Sequence, residues 1–263
     1  MAEKDSYTFA VVPKRINSPY WQVVRSGCET RAKRLSITTG KNITCLFTGP
    51  AEGGPDTEAN QADIVNDLID AGDLDGMALA VVEAPSAEVL INKSVSQNIH
   101  VVTFDSDAVN SSRLAYIGTD NVAFGQEMGG VLLQMQPAGG TYAIIAAGSP
   151  NIQLRVEGVR SALKGSEWIE LTDDNDEHPA SPTDCLGDPA FAVEQMFAIA
   201  EAHPNLGAII PVGAWPMLND TEWKRFVDEY PNVLTVVSDA LQQQIDLMNM
   251  GYADVSSCTA SAG

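Results

Sequence analysis

The 263-residue chain is predicted to fold as two doubly wound α/β lobes, each with a parallel sheet covered by helices. Short apolar runs alternate with amphipathic stretches along nearly the whole chain. The apolar runs are continuous, which is typical of strands buried on both faces of a parallel sheet. The alternation restarts near Thr119–Asp120, which predicts an N-terminal lobe over residues 1–119 and a C-terminal lobe over residues 120–258.

The first half of the chain has the pattern of five strands and three helices. The first strand is Tyr7–Val12 (YTFAVV), and a helix follows over Tyr20–Leu35. Apolar side chains of this helix recur at spacings of three and four residues, so they share one face. They are Trp21, Val24, Cys28, Ala32 and Leu35. The later strands are Ile43–Phe47, Met77–Val82, His100–Phe104 and Ala115–Ile117, with helices over Glu58–Ala71 and Pro85–Gln97.

The second half repeats this alternation. The predicted strands are Thr141–Ala146, Ile169–Leu171, Gly207–Pro211 and Val233–Val237. The predicted helices are Ala123–Met135, Ile152–Leu163, Pro189–Ala202, Trp215–Tyr230 and Leu241–Met250. Gly251 suits a left-handed helix cap. The acidic, proline-containing stretch Thr172–Pro189 lacks periodicity and is predicted to be a loop at the carboxyl end of a strand, where open α/β sheets bind ligands.

Charge and hydropathy exclude several classes of protein. Lys and Arg total 15 and Asp and Glu total 35, so the formal net charge is −20. Nucleic acids and anionic membranes are bound by clustered Lys and Arg, so neither is an expected partner. A hydrophobic fraction of 44% fits a globular chain. The sequence has no apolar run of about 18 residues, so membrane insertion is not expected.

Sequence motifs give no support for an enzyme, a metal or a cofactor. The chain has no phosphate-binding glycine loop, no nucleophile elbow and no H-E-x-x-H zinc motif. The acidic residues at 173–177 could bind a cation, but they lack calcium-loop spacing, so a solvated loop is favoured over a metal site or a hydrolase site. Cys28, Cys45, Cys185 and Cys258 have no C-x-x-C spacing. Buried thiols are the favoured interpretation, with a disulfide left open.

Polar and aromatic residues directly follow several predicted strands. They are expected to face one crevice, since parallel strands end at the same sheet edge. Aromatic rings stack on the C–H faces of a sugar, carboxylates accept hydrogen bonds from its hydroxyls, and a guanidinium donates to them. The residues are Ser18, Tyr20, Trp21, Asp105, Asp107, Asn151, Arg155 and Asp239.

Each of the main candidates also has a structural interpretation. Trp21 could belong to the core. Asp105 and Asp239 could cap helices that follow them. Arg155 could pair with Glu157 or with another acidic residue at the surface.

Four segments, in order over nearly the whole chain, carry a resemblance to a known family. They are FAVVPKRINSPYWQVVRSGCETRAKRL, VVTFDSDAVNSSRLAYIGTDNVAFGQEMGG, AIIAAGSPNIQLRVEGVRSAL and VLTVVSDALQQQIDLMNMGYAD. With these segments the chain resembles the type I periplasmic solute-binding proteins of the ribose-binding kind, whose fold is shared with LacI-type effector domains.

The resemblance implies ligand-binding roles for particular residues. The family's aromatic pair falls on Tyr20 and Trp21, with Ser18 nearby, and its sugar-binding carboxylate falls on Asp105. Its second-lobe arginine and later aspartate fall on Arg155 and Asp239. Asp107 and Asn151 match less closely.

Two positions depart from the family. Val212–Trp215 stands where Asn-Asp is common, so we expect either that a polar ligand contact is lost or that Trp215 replaces it by stacking. Ser106 stands where ribose binders commonly have Arg, so a pyranose, a polyol or a related polar solute is expected rather than ribose.

The family binds a monosaccharide or polyol in a cleft between two hinged lobes, which close on the ligand. The resemblance therefore implies a monomer in the periplasm or another extracytoplasmic compartment, with its signal peptide removed. The implied partner is an ABC transporter permease or a receptor. The alternative is the ligand-sensing domain of a receptor or transcription regulator. The family also adds a return segment and a long final helix to lobe one. Here only about residues 259–263 would return, so we expect this helix to be missing and an apolar sheet face to be uncovered.

Overall fold

A computed structural model describes residues 4–51, 57–172, 181–253 and 255–257, and the structural statements below concern these residues. The acidic residues at 173–177 and the return segment at 259–263 lie outside this description, so the expectations for them stay predictions.

The described residues form eleven strands and nine helices in alternation. The strands are β1 (Ser6–Val12), β2 (Asn42–Phe47), β3 (Gly76–Leu79), β4 (His100–Phe104), β5 (Tyr116–Ile117), β6 (Gly140–Ala146), β7 (Trp168–Glu170), β8 (Thr183–Asp184), β9 (Leu206–Pro211), β10 (Leu234–Ser238) and β11 (Val255–Ser257). The helices are α1 (Pro19–Thr39), α2 (Thr57–Ala71), α3 (Ala84–Ser96), α4 (Asn121–Met135), α5 (Pro150–Leu163), α6 (Pro189–Ala202), α7 (Trp215–Leu218), α8 (Asp220–Glu229) and α9 (Gln242–Asn249). None of these helices is both long and apolar enough to cross a membrane.

The chain divides into two compact units, Met1–Gly118 and Thr119–Gly263. The first unit has one parallel sheet in the order β2-β1-β3-β4-β5. Ala10 and Val12 of β1 share a buried apolar cluster with Val65 of α2 and Ile91 of α3. The neighbouring side chain on the other sheet face, Phe9, is 40% exposed. Val11, which lies on the same face as Phe9, is only 8% exposed, so this second face is covered at the carboxyl end of β1 and partly open at Phe9.

A disulfide joins α1 to the edge strand of this sheet. Cys28 of α1 is bonded to Cys45 of β2, with the two Cα atoms 6.0 Å apart. The favoured interpretation of four thiols is therefore wrong for this pair. Cys185 is buried and is not part of a disulfide. The sequence could not predict this pairing, because the helix and the strand come together only in the folded unit.

The second unit is built around a parallel sheet in the order β11-β10-β9-β6-β7, with β8 also paired to β6. Consecutive residues of β6 point to opposite faces, since side chains alternate along a strand. Ile144 packs in the cluster that includes Phe124 of α4 and Val156 of α5. Ile145 packs in a second cluster with Phe226 of α8. Both faces of this sheet are thus covered by helices, as the sequence predicted.

Helices α4 and α5 approach each other so closely that only glycine fits between their backbones. A Cβ atom at Gly125 would lie 2.0 Å from the Arg155 carbonyl oxygen. A Cβ atom at Gly158 would lie 2.2 Å from the Val122 carbonyl oxygen. This contact fixes the backbone at Arg155, one of the predicted ligand-binding residues.

The α/β fold class is confirmed, and two details of the predicted elements are wrong. The helix predicted over Trp215–Tyr230 is divided at Asn219, whose φ of −100° and ψ of 76° leave the helical region. Part of the loop predicted over Thr172–Pro189 is the short strand β8, which pairs with Ile145 and Ala146 of β6. The expected left-handed glycine after the last helix is present, with Gly251 at φ 85°.

Candidate functional site

Asp105 is held in a left-handed backbone conformation directly after β4. Its φ is 62°, its amide donates to the Ile117 carbonyl at 3.1 Å, and its own carbonyl accepts from the Tyr116 hydroxyl at 3.0 Å. Its carboxylate lies 2.8 Å from Lys14 Nζ and accepts from the Tyr20 hydroxyl at 3.4 Å. No helix follows Asp105 within the described residues 105–115, so the capping alternative is wrong for it.

Lys14, which sequence reasoning missed, completes this cluster. It lies two residues after β1, and the Lys14 and Asp105 side chains are 16% and 15% exposed. An ammonium only donates hydrogen bonds and a carboxylate only accepts them. A donor and an acceptor side by side suit neighbouring hydroxyl groups of a polyol or sugar. The sequence feature that could have identified Lys14 is its position just beyond the end of a strand, which is also the position of Asp105.

The predicted aromatic pair is divided between solvent and core. Tyr20 and Trp21 are in the first turn of α1, after Pro19 and the buried Ser18. Tyr20 is 43% exposed, whereas Trp21 is only 6% exposed. The Trp21 ring meets the Tyr20 ring edge-on at 4.7 Å and the Phe104 ring at 5.9 Å. Tyr20 is therefore the ring available for stacking on a ligand, and Trp21 mainly supports it.

Asp107 has internal partners that favour a structural role. Its carboxylate forms an ion pair with Arg113, with the Nη2 atom donating at 2.6 Å. It also accepts from the Thr103 hydroxyl at 2.6 Å and from the Ala108 amide at 2.8 Å. Ser106 beside it is buried and donates to the Val81 carbonyl. Of the two aspartates in this segment, Asp105 is the better ligand-binding candidate.

Arg155 is the centre of a second cluster, in the second unit. Its Nε atom donates to Asn121 Oδ1 at 3.0 Å, and its Nη1 atom donates to the Val212 carbonyl at 2.8 Å. The guanidinium lies 4.5 Å from the centre of the Phe124 ring. Its Nη1 atom is also 3.8 Å from Asp239 Oδ1. The ion pair of Arg155 is thus with Asp239, another acidic residue, and among the residues that the structure describes Arg155 is not paired with Glu157.

Asp239 occupies the position after β10 that Asp105 occupies after β4. Its φ is 70°, again in the left-handed region. Helix α9 begins only at Gln242, with Leu241 before it, so Asp239 is not its cap. Asp105 and Asp239 are two of four described non-glycine residues with positive φ. Such conformations are uncommon and concentrate at functional sites.

The remaining predicted residues are in the second unit. Asn151 is buried in the first turn of α5, and its Oδ1 atom accepts from the Ser149 hydroxyl at 2.9 Å. Trp215 begins α7 and packs against both apolar clusters of its unit. A Cβ atom at Gly213 would lie 2.5 Å from the Trp215 ring, so glycine lets the indole lie against the backbone. No group of three His, Cys, Asp or Glu side chains in the described part of the chain could hold a metal ion.

Known proteins with similar sequences bind sugars. The sequence profile of a family described as "periplasmic binding protein domain" matches residues 9–262. The D-allose-binding periplasmic protein of Escherichia coli K12 is 26% identical over 211 residues, which are 76% of this chain and 62% of that protein. The chain thus spans less than two thirds of the length of this relative.

Two solved structures have the same fold. A glucose-galactose binding protein from Geobacillus stearothermophilus has a TM-score of 0.80 at 24% identity, over 96% of this chain and 85% of that one. A solute-binding protein of an ABC transporter from Burkholderia graminis, in complex with D-arabinose, has a TM-score of 0.77 at 24% identity. That match covers 97% of this chain and 84% of the other.

Proposed function

Since this chain belongs to the periplasmic binding protein domain family, whose profile matches residues 9–262, we propose that it binds a monosaccharide for uptake by an ABC transporter. The proposed ligand is an aldose in its ring form. No bond is made or broken in this function, and the protein acts by binding and release.

The observation that carries the proposal is the cluster of Lys14, Tyr20 and Asp105. The 2.8 Å ion pair supplies an acceptor and a donor at neighbouring points. The exposed Tyr20 ring offers a flat apolar surface beside them. Sugars have alternating hydroxyl groups and C–H faces, so this combination is suited to them. An amino acid would present a charged ammonium and carboxylate instead.

The second cluster adds a donor that is already oriented. Arg155 is 8% exposed and is held by Asn121, Val212 and the Phe124 ring. A guanidinium fixed in this way loses little entropy when it donates to a ligand hydroxyl. Asp239 can accept from a neighbouring hydroxyl. We propose that both clusters contribute to sugar binding.

The disulfide between Cys28 and Cys45 supports an extracytoplasmic location, because disulfides persist in oxidising compartments. The proposed partner is therefore a membrane-bound permease that accepts the sugar-loaded protein. We also propose that the protein acts as a monomer.

The test is a thermal-shift and calorimetry panel of D-allose, D-arabinose, D-glucose, D-galactose and D-xylose. Amino acids and nucleosides serve as comparison ligands. A ligand at 100 times its Kd stabilises the native state by about 2.7 kcal/mol, which raises Tm by several degrees. A sugar hit with no response to the comparison ligands supports the proposal. A response confined to amino acids or nucleosides contradicts it.

A further inference from the structure

Helix α1 is attached to its sheet by unusually few buried side chains. The structure describes all 21 residues of α1, and of these only Trp21 and Ala32 are buried. The apolar side chains of Val23 and Ile37 are 72% and 76% exposed. A surface helix of this length normally buries a continuous apolar stripe. The rest of its apolar face, Val24, Cys28 and Leu35, is half-buried, so α1 has few fully buried attachment points.

The Cys28–Cys45 disulfide is the attachment point in the middle of α1. No side chain between Trp21 and Ala32 in this fully described helix is buried. In that stretch the Arg25 guanidinium lies 5.9 Å from the centre of the Phe47 ring, a contact at an exposed surface. The covalent bond to β2 thus holds a part of the helix in which the apolar side chain of Val24 is only half-buried.

The same helix carries the aromatic residues of the first cluster. Cys28 comes seven residues after Trp21, which is almost two helical turns along one face. Tyr20, next to Trp21, donates to Asp105 Oδ1 at 3.4 Å. Because a helix moves largely as a rigid rod, a shift of α1 at Cys28 also moves Tyr20 relative to Asp105.

We infer that the Cys28–Cys45 disulfide is a positioning element of the sugar site, which keeps Tyr20 and Trp21 beside Asp105. This inference rests on the proposed function. In the reduced protein, α1 samples positions in which the aromatic pair has left Asp105. Only the fraction of molecules with α1 seated binds sugar, so the apparent Kd rises in inverse proportion to that fraction.

Sugar binding and reduction of the disulfide are thermodynamically linked, so each changes the equilibrium of the other. A sugar that binds better when the disulfide is present must stabilise the disulfide by the same factor. Reduction by dithiothreitol transfers two electrons and two protons to the disulfide, giving the Cys28 and Cys45 thiols and cyclic oxidised dithiothreitol. A tenfold difference in sugar affinity between the two redox forms corresponds to a shift of about 30 mV in this reduction potential.

The experiment uses the full chain in a background with Cys185→Ser and Cys258→Ser, so that Cys28 and Cys45 are the two cysteines that remain. Sugar affinity is measured calorimetrically for this protein and for the added double substitution Cys28→Ser and Cys45→Ser, well below both melting temperatures. Hydrogen exchange of α1 is measured without sugar. The dithiothreitol redox midpoint is then determined with and without saturating sugar.

We expect the double substitution to raise Kd about tenfold and to speed exchange in α1. We also expect saturating sugar to make the redox midpoint more negative by the amount that matches the change in Kd. If the double variant does not fold, Cys28→Ala with Cys45→Ala replaces it, and the redox titration is run where circular dichroism shows that the reduced protein is still folded, because sugar would shift the midpoint of a protein that unfolds on reduction whatever the role of the disulfide.

Equal affinities, or a midpoint that sugar does not move, would overturn the positioning role while leaving the proposed function intact. A disulfide that only raised global stability would lower Tm when removed without changing either quantity. A parent protein that binds no sugar would overturn the proposed function, and the positioning role with it.

Discussion

The Lys14 ammonium lies 2.8 Å from the Asp105 carboxylate, and both side chains are about 15% exposed. A charged hydrogen-bonding group of this kind contributes about 1.5–3 kcal/mol to an interaction. We therefore expect Asp105→Asn to raise the Kd for sugar about ten- to a hundredfold in calorimetry. Asn also tolerates the left-handed backbone at this position, so the fold should survive. An unchanged Kd would remove Asp105 from the site.

Arg113→Met tests the structural role of Asp107. Arg113 forms an ion pair with Asp107, and both side chains are largely buried. Removing the arginine leaves the Asp107 carboxylate without its ion-pair partner, so we expect the free energy of unfolding to fall by about 1–3 kcal/mol. Sugar affinity should stay within about twofold for the protein that remains folded. A loss of affinity comparable to that of Asp105→Asn would place Asp107 among the binding residues.

Arg155→Lys tests the second cluster. Lysine cannot reproduce the planar arrangement that bonds Asn121 and the Val212 carbonyl together. We expect Kd for sugar to rise at least about tenfold and Tm to fall. The matched control is Arg160→Lys. Arg160 is in the same helix α5 but outside the cluster, and it forms an ion pair with Glu170 of β7 at 2.8 Å. Equal affinity losses in the two variants would argue against a specific role for Arg155.

Two glycines of α4 allow a matched test of the close contact between α4 and α5. Alanine at Gly125 would place its Cβ 2.0 Å from the Arg155 carbonyl oxygen, whereas alanine at Gly130 would meet nothing within 4 Å. We expect Gly125→Ala to destabilise the second unit by about 1–3 kcal/mol or more, because α4 and α5 must separate. Gly130→Ala should stabilise it by up to roughly 1 kcal/mol through helix propensity. Urea denaturation measures both changes, and equal effects would contradict the close contact.

Asp75 should make the first unit sensitive to acid. Burial alone would raise the pKa of this carboxyl, but hydrogen bonds from Lys4 and the Thr8 amide, together with the Lys4 charge, hold the pKa below its usual range. Its contribution to the free energy of unfolding is present above the ordinary pKa of about 3.9 and is lost as pH falls through the lowered folded value. We therefore expect the stability difference between wild type and Asp75→Asn to shrink as pH falls from 7 toward the lowered pKa. A difference independent of pH in urea titrations would contradict this.

Much of the fold could be predicted because local patterns determine it. Continuous apolar runs mark the strands, and each predicted strand of the first half lies within three residues of the observed bounds. The break at Asn219 was missed because the Trp223 and Phe226 spacing continues the helical pattern on its far side. Asp105 and Asp239 could be identified as candidates in the same way, because each directly follows an apolar run that marks a strand.

Relationships between distant residues could not be predicted in this way. Asp105 and Asp107 occupy one short segment, and only the folded positions of Lys14 and Arg113 distinguish them. The pairing of Cys28 with Cys45 depends on how α1 lies against β2. Tyr20 and Trp21 are adjacent in sequence, yet the packing of Phe104 decides which ring is exposed.

The left-handed backbone at Asp105 and Asp239 also limits how this protein can evolve. Only glycine, asparagine and aspartate adopt this conformation readily. Asparagine and glycine codons are each one nucleotide change away from an aspartate codon. We therefore expect natural variation at both positions to exchange a carboxylate for an amide or for no side chain. Homologues with altered sugar preference should then differ at these two sites by the charge or the absence of the side chain, and seldom by a larger or branched side chain.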